Sequence, residues 1–133
     1  MAEGQACWRY KQTTGELFDP TGKLVNKGYS GKGRGKNNPS LQNVAGVGPI
    51  PQGMWRVGAL YNSANVGKNA IYLHFLDDTP NNDTHDPSGR SAFRMHGDSI
   101  KHPGTASRGC IIMPLAARLT VARSKVKLLR VTD

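Results

Sequence analysis

Residues 93–114 read F-R-M-H-G-D-S-I-K-H-P-G-T-A-S-R-G-C-I-I-M-P, and the interpretation of the chain turns on them. Two short apolar pieces, 93–95 and 111–113, flank a loop rich in Gly, Pro and Ser, and each adjoins a reactive side chain. His96 closes the first piece and Cys110 opens the second. If the two pieces are neighbouring strands, the loop brings imidazole and thiol together at one end of a sheet. Thiol catalysis needs that arrangement. A thiol is mostly protonated near neutral pH, and an adjacent imidazole converts it to the nucleophilic thiolate.

The residues before Cys110 fit the same chemistry. Gly109 leaves room for a substrate carbonyl and permits a sharp turn. The N–H groups of Arg108, Gly109 and Cys110 are then placed to converge on an oxyanion, each donor being worth ~3–4 kcal/mol of barrier. Ser107 is positioned to orient a partner or the substrate. Taken one at a time, these residues have simpler readings. A cysteine before two isoleucines is commonly a buried core thiol, and a histidine at a strand end is commonly structural. It is H-G-D followed by S-R-G-C at this spacing that favours catalysis.

H-G-D followed by S-R-G-C-I resembles the signature of YkuD-type L,D-transpeptidases, in which a His precedes an S/T-H-G-C segment. The similarity is closer to shorter relatives, the L,D-transpeptidase-like effectors delivered by type VI secretion systems into rival bacteria. Position by position, Cys110 matches the nucleophile, His96 the base, and Ser107 and Gly109 the small residues before the nucleophile. Two positions depart: Arg108 stands where the larger family has His, and Ile112 where it usually has Arg. Y-S-G at 29–31, N-N-P at 37–39 and G-P-I-P-x-G at 48–53 resemble segments of the same families.

The chain of 133 residues falls in the range of one compact domain, 1–133. With 37% hydrophobic residues and a mean hydropathy of −0.52, its core is modest. Sixteen Gly and eight Pro predict many turns and short elements. No apolar run approaches the ~20 residues of a membrane-spanning helix, and M-A-E-G-Q-A-C-W-R-Y lacks the basic-then-apolar pattern of a signal peptide. The expectation is therefore a chain that is cytoplasmic in its producer or exported by a route that reads no such signal. A formal charge of +9 favours anionic partners, whether nucleic acid, acidic lipid or the carboxylates of a cell wall. Cys7 and Cys110 make no disulfide framework, and pairing them would disable the nucleophile; Cys7 reads as a free thiol in the first strand.

Alternating aromatic and polar residues at 8–12 predict a half-buried strand, and turns at 13–15 and 19–22 separate it from strands at 16–18 and 23–25. The run G-Y-S-G-K-G-R-G-K-N-N at 28–38 is basic and glycine-rich, a solvated loop or a loop near the cleft rather than an RNA-binding segment. Pro49 and Pro51 make a rigid turn before a strand at 54–58. A further strand is expected at 70–76, with His74 structural. The acidic run at 77–86 lacks the Gly and closing Glu of a calcium loop and reads as solvated. Residues 115–123 suit a short helix with Leu115, Leu119 and Ala122 on its inner face, and 126–131 a closing strand.

The resemblance implies a mainly β, compact L,D-transpeptidase-like sandwich or barrel with one short helix near the C-terminus. It implies a cysteine enzyme acting on peptidoglycan stem peptides, with no cofactor and no metal. Cys110, with His96 as base, would attack the bond joining diaminopimelate to the terminal D-alanine of a tetrapeptide. Water would then complete an L,D-carboxypeptidase reaction, or another D-amino acid an exchange. Arg94, Lys101 and Arg108 are expected to hold stem-peptide carboxylates, and Asp98, beside Gly97, to place His96 or meet a substrate ammonium. A cognate immunity protein and a secretion component are the expected partners, with no nucleic acid and no membrane insertion. The target-cell periplasm is the expected site of action. Two alternatives stand beside this reading: a non-catalytic basic module for cell wall or nucleic acid, and a phage-type wall-lytic cysteine hydrolase.

Overall fold

A computed structural model of the chain describes residues 6–76 and 84–133. The acidic run expected to be solvated lies mostly outside these residues, as does the start of the N-terminus. Eleven strands and one helix are present among the described residues. The strands are β1 (Trp8–Lys11), β2 (Glu16–Phe18), β3 (Leu24–Lys27), β4 (Tyr29–Ser30), β5 (Gly53–Ser63) and β6 (Gly67–Phe75). After them come β7 (Thr84–His85), β8 (Arg90–Ser91), β9 (Arg94–His96), β10 (Ile111–Ile112) and β11 (Leu128–Thr132). Helix α1 spans Leu115–Arg123. A single 3-10 turn, Gly33–Gly35, interrupts the basic loop and another, Pro39–Leu41, follows it. No helix among the described residues is long and apolar enough to cross a membrane.

Nine strands form one mixed sheet in the order β3-β2-β1-β11-β5-β6-β9-β10-β4, and β7 and β8 form a separate pair. The first and last strands in that order are consecutive in the chain, with only Gly28 between them. One residue spans only about 7 Å between its neighbours, so the two edges must meet and the sheet curls into a barrel-like form. Gly28 is where the seam closes. Its N–H donates to Gly15 O at 2.8 Å, and a Cβ there would lie 1.7 Å from the Ile112 carbonyl oxygen. No side chain fits so close a crossing.

Period-two alternation supplies the core. Trp8 and Tyr10 on β1 pair in parallel with Leu129 and Val131 on β11, and all four are buried. Trp55 sits at the centre with Phe75 and Phe93 edge-on at 5.2 and 5.0 Å. His85 is buried and stacks on Trp55. Tyr10 Oη is a buried side-chain polar atom with no hydrogen bond among the described residues, and burial drives its phenol pKa far above the ordinary value.

The helix forms where expected, its Leu, Ala and Arg residues being strong helix formers directly after Pro114. Its inner face is another matter. Ala117, Arg118 and Val121 are buried, whereas Leu115 is 46% exposed. An arginine faces inward because backbone carbonyls await it: Nε donates to Met113 O at 3.0 Å and Nη1 to Lys68 O and Asn69 O at 3.0 and 3.1 Å.

Candidate active site

β9 and β10 are adjacent and parallel, with Met95 opposite Ile111 and His96 opposite Ile112. The Gly- and Pro-rich loop between them therefore carries the chain back along the sheet, and Cys110, just before β10, comes level with Arg94. The turn at 107–110 is pinned from within. Ser107 is fully buried; its Oγ accepts from Gly31 N at 2.8 Å and Gly109 N at 3.1 Å and donates to Cys110 O at 2.6 Å. A second hydroxyl holds the other side, Ser30 Oγ donating to Gly109 O at 3.0 Å while accepting from Ile50 N at 2.8 Å.

Two expectations about Gly109 need correction. Its N–H is engaged by Ser107 and so leaves the expected set of oxyanion donors. The space its side chain would fill is already occupied on the protein side. A Cβ would stand 2.3 Å from Arg90 Nη2 and 3.1 Å from the Phe93 ring, and φ is +141°. Packing beneath the turn is itself a reason for glycine here.

Arg90 is the larger surprise. Only 6% exposed, its guanidinium donates to four carbonyls, those of Gln42, Gly48, Pro49 and Arg108. It thereby clamps the G-P-I-P segment to the cysteine turn and lies over the Phe93 ring at 5.0 Å. Burial lowers its pKa, and the nearby Cys110 sulfur opposes that by favouring the charged form. The reverse holds too: a fixed positive charge beside Cys110 favours the thiolate. Cys110 is half-buried and forms no disulfide with any described residue, and neither does Cys7, which lies one residue before β1. It opens, with Arg90, Phe93 and Arg108, on a cleft of about 380 Å³. Its Sγ donates to Ala92 O at 3.8 Å.

His96 is buried, and its Nδ1 meets Gly97 O at 2.9 Å. A carbonyl only accepts, so this contact places the proton on Nδ1 and the lone pair on Nε2. Burial holds the imidazole pKa below its ordinary value, assisted by the Arg118 charge and opposed by the Gly97 hydrogen bond and Asp98. The ring lines a depression of about 250 Å³ with Gly97, Asp98, Ser99 and Ala106. The thiol, just before β10, and the imidazole, on β9, thus stand on neighbouring segments and line separate recesses, the sulfur turned to Ala92 and the ring to Gly97.

The remaining expected residues divide. Arg94 shares the His96 face of β9; its Nε donates to Tyr61 Oη at 3.0 Å and its guanidinium covers Tyr72 at 4.4 Å. Arg108 is exposed on the rim of the Cys110 cleft. Lys101 is exposed on the 98–106 loop and lines neither recess. Asp98 does not hydrogen-bond His96. Its carboxylate accepts from Tyr29 Oη at 2.6 Å, Ser99 N at 2.8 Å and Gly104 N at 3.0 Å, and so organises the loop. Burial raises its pKa, but those hydrogen bonds and Lys36 outweigh burial and the net shift is downward. Tyr29 is correspondingly pushed up to about 12, first by burial and then by Asp98.

Sequence reasoning missed Arg90 and Arg118 and left Ser30 without a role. The Y-S-G motif was a signal for Ser30. For the two arginines there was none, because a charge on a short strand or helix reads as solvated until its carbonyl partners are known.

Against this geometry, comparison with known proteins is informative. No curated protein sequence matches the chain. Among solved structures it is similar to the helical cell shape determining protein Pgp2 from Campylobacter jejuni, with 14% identity and a TM-score of 0.56. The match covers 96% of this chain and 47% of that one, so the chain spans about half the length of that structure. Identity this low speaks for the fold alone. Residues 25–132 match the Tlde1 domain. The chain belongs to the Tlde1 domain family, an L,D-transpeptidase-like family of type VI effectors.

Proposed function

We propose that the chain is a cell-wall-modifying effector that acts through a thioester on Cys110. The observation that carries this reading is the setting of the sulfur. It is half-buried at the mouth of a cleft, over a buried guanidinium, and one strand from a histidine whose free lone pair is on Nε2. The proposal requires the Cys110 side chain to leave Ala92 O and meet that nitrogen when substrate binds, as catalytic hydrogen bonds commonly tighten only then.

In the proposed reaction His96 Nε2 takes the thiol proton, and Sγ attacks the carbonyl joining diaminopimelate to D-alanine. The N–H groups of Arg108 and Cys110 receive the developing oxyanion. The C–N bond breaks, the departing amine takes the proton from His96, and the acyl group stays on sulfur. Water, deprotonated by His96, then releases a tripeptide and restores the thiol. A D-amino acid amine in its place gives exchange. Arg94 and Arg108 are offered as carboxylate contacts on the acyl side, with Lys101 a more peripheral one. Delivery to a target periplasm and an immunity partner belong to the same reading, supported by the family.

Cys110→Ala and His96→Ala, each shown to fold, should abolish D-alanine release from purified tetrapeptides. Wild-type rates in either variant would refute the mechanism. Mass spectrometry with and without added D-methionine separates trimming from exchange.

A further inference from the structure

The C-terminal ends of β9 and β10, beyond His96 and away from Cys110, border a cavity of about 440 Å³. Lys27, Tyr29, Asp98, Ile112, Pro114 and Arg118 line it. Arg118 is 8% exposed, and its Nε and Nη1 are committed to backbone carbonyls. Its Nη2 has no hydrogen-bond partner among the described residues, and a Cβ added at Gly97 would lie only 2.9 Å from it. A guanidinium fixed along one edge, with its other nitrogen unmet, is a pre-organised donor for an anion.

The lining accommodates that sign. Lys27 is exposed at the rim and adds a second positive charge. Pro114, which immediately precedes helix α1 and gives it no side-chain cap, also lines the cavity. Asp98 is the one acid lining the cavity, and its oxygens are already held by Tyr29, Ser99 and Gly104.

We propose that this cavity is a carboxylate subsite, in which Arg118 Nη2, with Lys27, holds the α-carboxylate of the amino acid that leaves or joins the acyl-enzyme. The assignment rests on the thioester reading. His96 exchanges a proton with the amine of that amino acid, and in any α-amino acid one carbon separates amine from carboxylate. The carboxylate therefore needs a cationic group next to the base and on the far side of it from the sulfur. Arg118 abuts Gly97, the residue that follows His96, and its charge acts on the His96 ring. The pattern of the sheet gives the order sulfur, imidazole, guanidinium along the strands.

The test has a binding arm and a turnover arm, both on the full chain. D-Alanine is titrated while the amide signals of Gly97, Met113, Leu115 and Ala116 are followed by NMR. Saturable shifts are expected, weakened at least ~10-fold by Arg118→Met, the usual scale for losing a charged hydrogen bond. Lys27→Glu, at an exposed position, weakens binding without threatening the fold and decides the matter if Arg118→Met does not fold. In the turnover arm, a tetrapeptide ending in D-alanine is compared with one ending in D-alaninamide. Wild type should lose kcat/KM on amidation, and the variants should lose that discrimination.

Absence of saturable shifts, equal D-alanine affinity in both variants, or discrimination retained in both would overturn the subsite. Displacement of D-alanine shifts by a diaminopimelate-terminated tripeptide whose own affinity depends on Arg118 would assign the carboxylate to the acyl portion, and also overturn it. If wild type cleaves neither peptide, the thioester reading fails, while the binding arm still decides whether the cavity takes a carboxylate.

Discussion

Ser107→Ala removes one oxygen and leaves three backbone groups to find new partners. The Gly31 and Gly109 N–H groups lose their acceptor, at 2.8 and 3.1 Å, and the Cys110 carbonyl loses a donor at 2.6 Å. Ser107 has zero exposure, so water has no direct route to replace it. An unsatisfied buried N–H costs about 1–3 kcal/mol, and the carbonyl, with a second lone pair, costs less. The expected loss is about 3–5 kcal/mol, a large share of the ~5–15 kcal/mol that stabilises a typical domain. Urea unfolding monitored by the two tryptophans measures the loss directly. The loss should concentrate at the turn, so the alkylation rate of Cys110 in the native state should also change. A destabilisation below ~1 kcal/mol with an unchanged alkylation rate would show that the turn does not depend on this hydroxyl.

Other perturbations probe separate parts of the site and core. Arg90→Met removes the donor shared by four carbonyls and the cation beside Cys110. Iodoacetamide labelling at pH 7 should slow by roughly 10-fold, one pH unit's worth of thiolate; an unchanged rate in the folded variant would remove Arg90 from the electrostatics of the thiol. Tyr10→Phe deletes a buried hydroxyl that has no partner among the described residues, so stability should hold or rise by up to ~1 kcal/mol, and a drop of that size in thermal unfolding would mean the hydroxyl is satisfied. His96 has a folded pKa below its unfolded one, chiefly through burial. Between those two values the unfolded chain binds more protons, so His96-linked stability is present above about pH 6.5 and is lost as pH falls toward the folded pKa. His96→Gln should flatten that part of the pH–stability curve, and the acid limb of kcat/KM should lie below pH 6.5 if neutral His96 is the base. A limb above that value would contradict a buried neutral imidazole.

Much of the order along the chain was legible before any coordinates. The meander at β1 to β3, the helix and the strands around Cys110 follow from alternation, turn residues and helix propensity, which are local properties. The long hairpin of β5 and β6 was only half visible, because exposed positions such as Leu60 and Lys68 interrupt the apolar pattern while the ladder continues. The inner face of α1 was misassigned for a related reason. Periodicity finds apolar stripes, and it cannot foresee that carbonyls at 68, 69 and 113 will make an arginine the residue to bury.

By itself the sequence singled out the candidate pair, His96 and Cys110, and its order, since H-G-D and S-R-G-C place an imidazole and a thiol at the two ends of one loop. Tertiary structure decided what surrounds the pair. Closure of the sheet at Gly28 sets β4 beside β10, which is how Ser30 and Gly31 reach the cysteine turn from 79 and 76 residues away. Carbonyls distant in the chain, at 42, 48, 49 and 108 for Arg90 and at 68, 69 and 113 for Arg118, likewise hold the two arginines beside the site. Hydrogen bonds and charges act over a few ångströms of space, and a sequence states only distance along the chain.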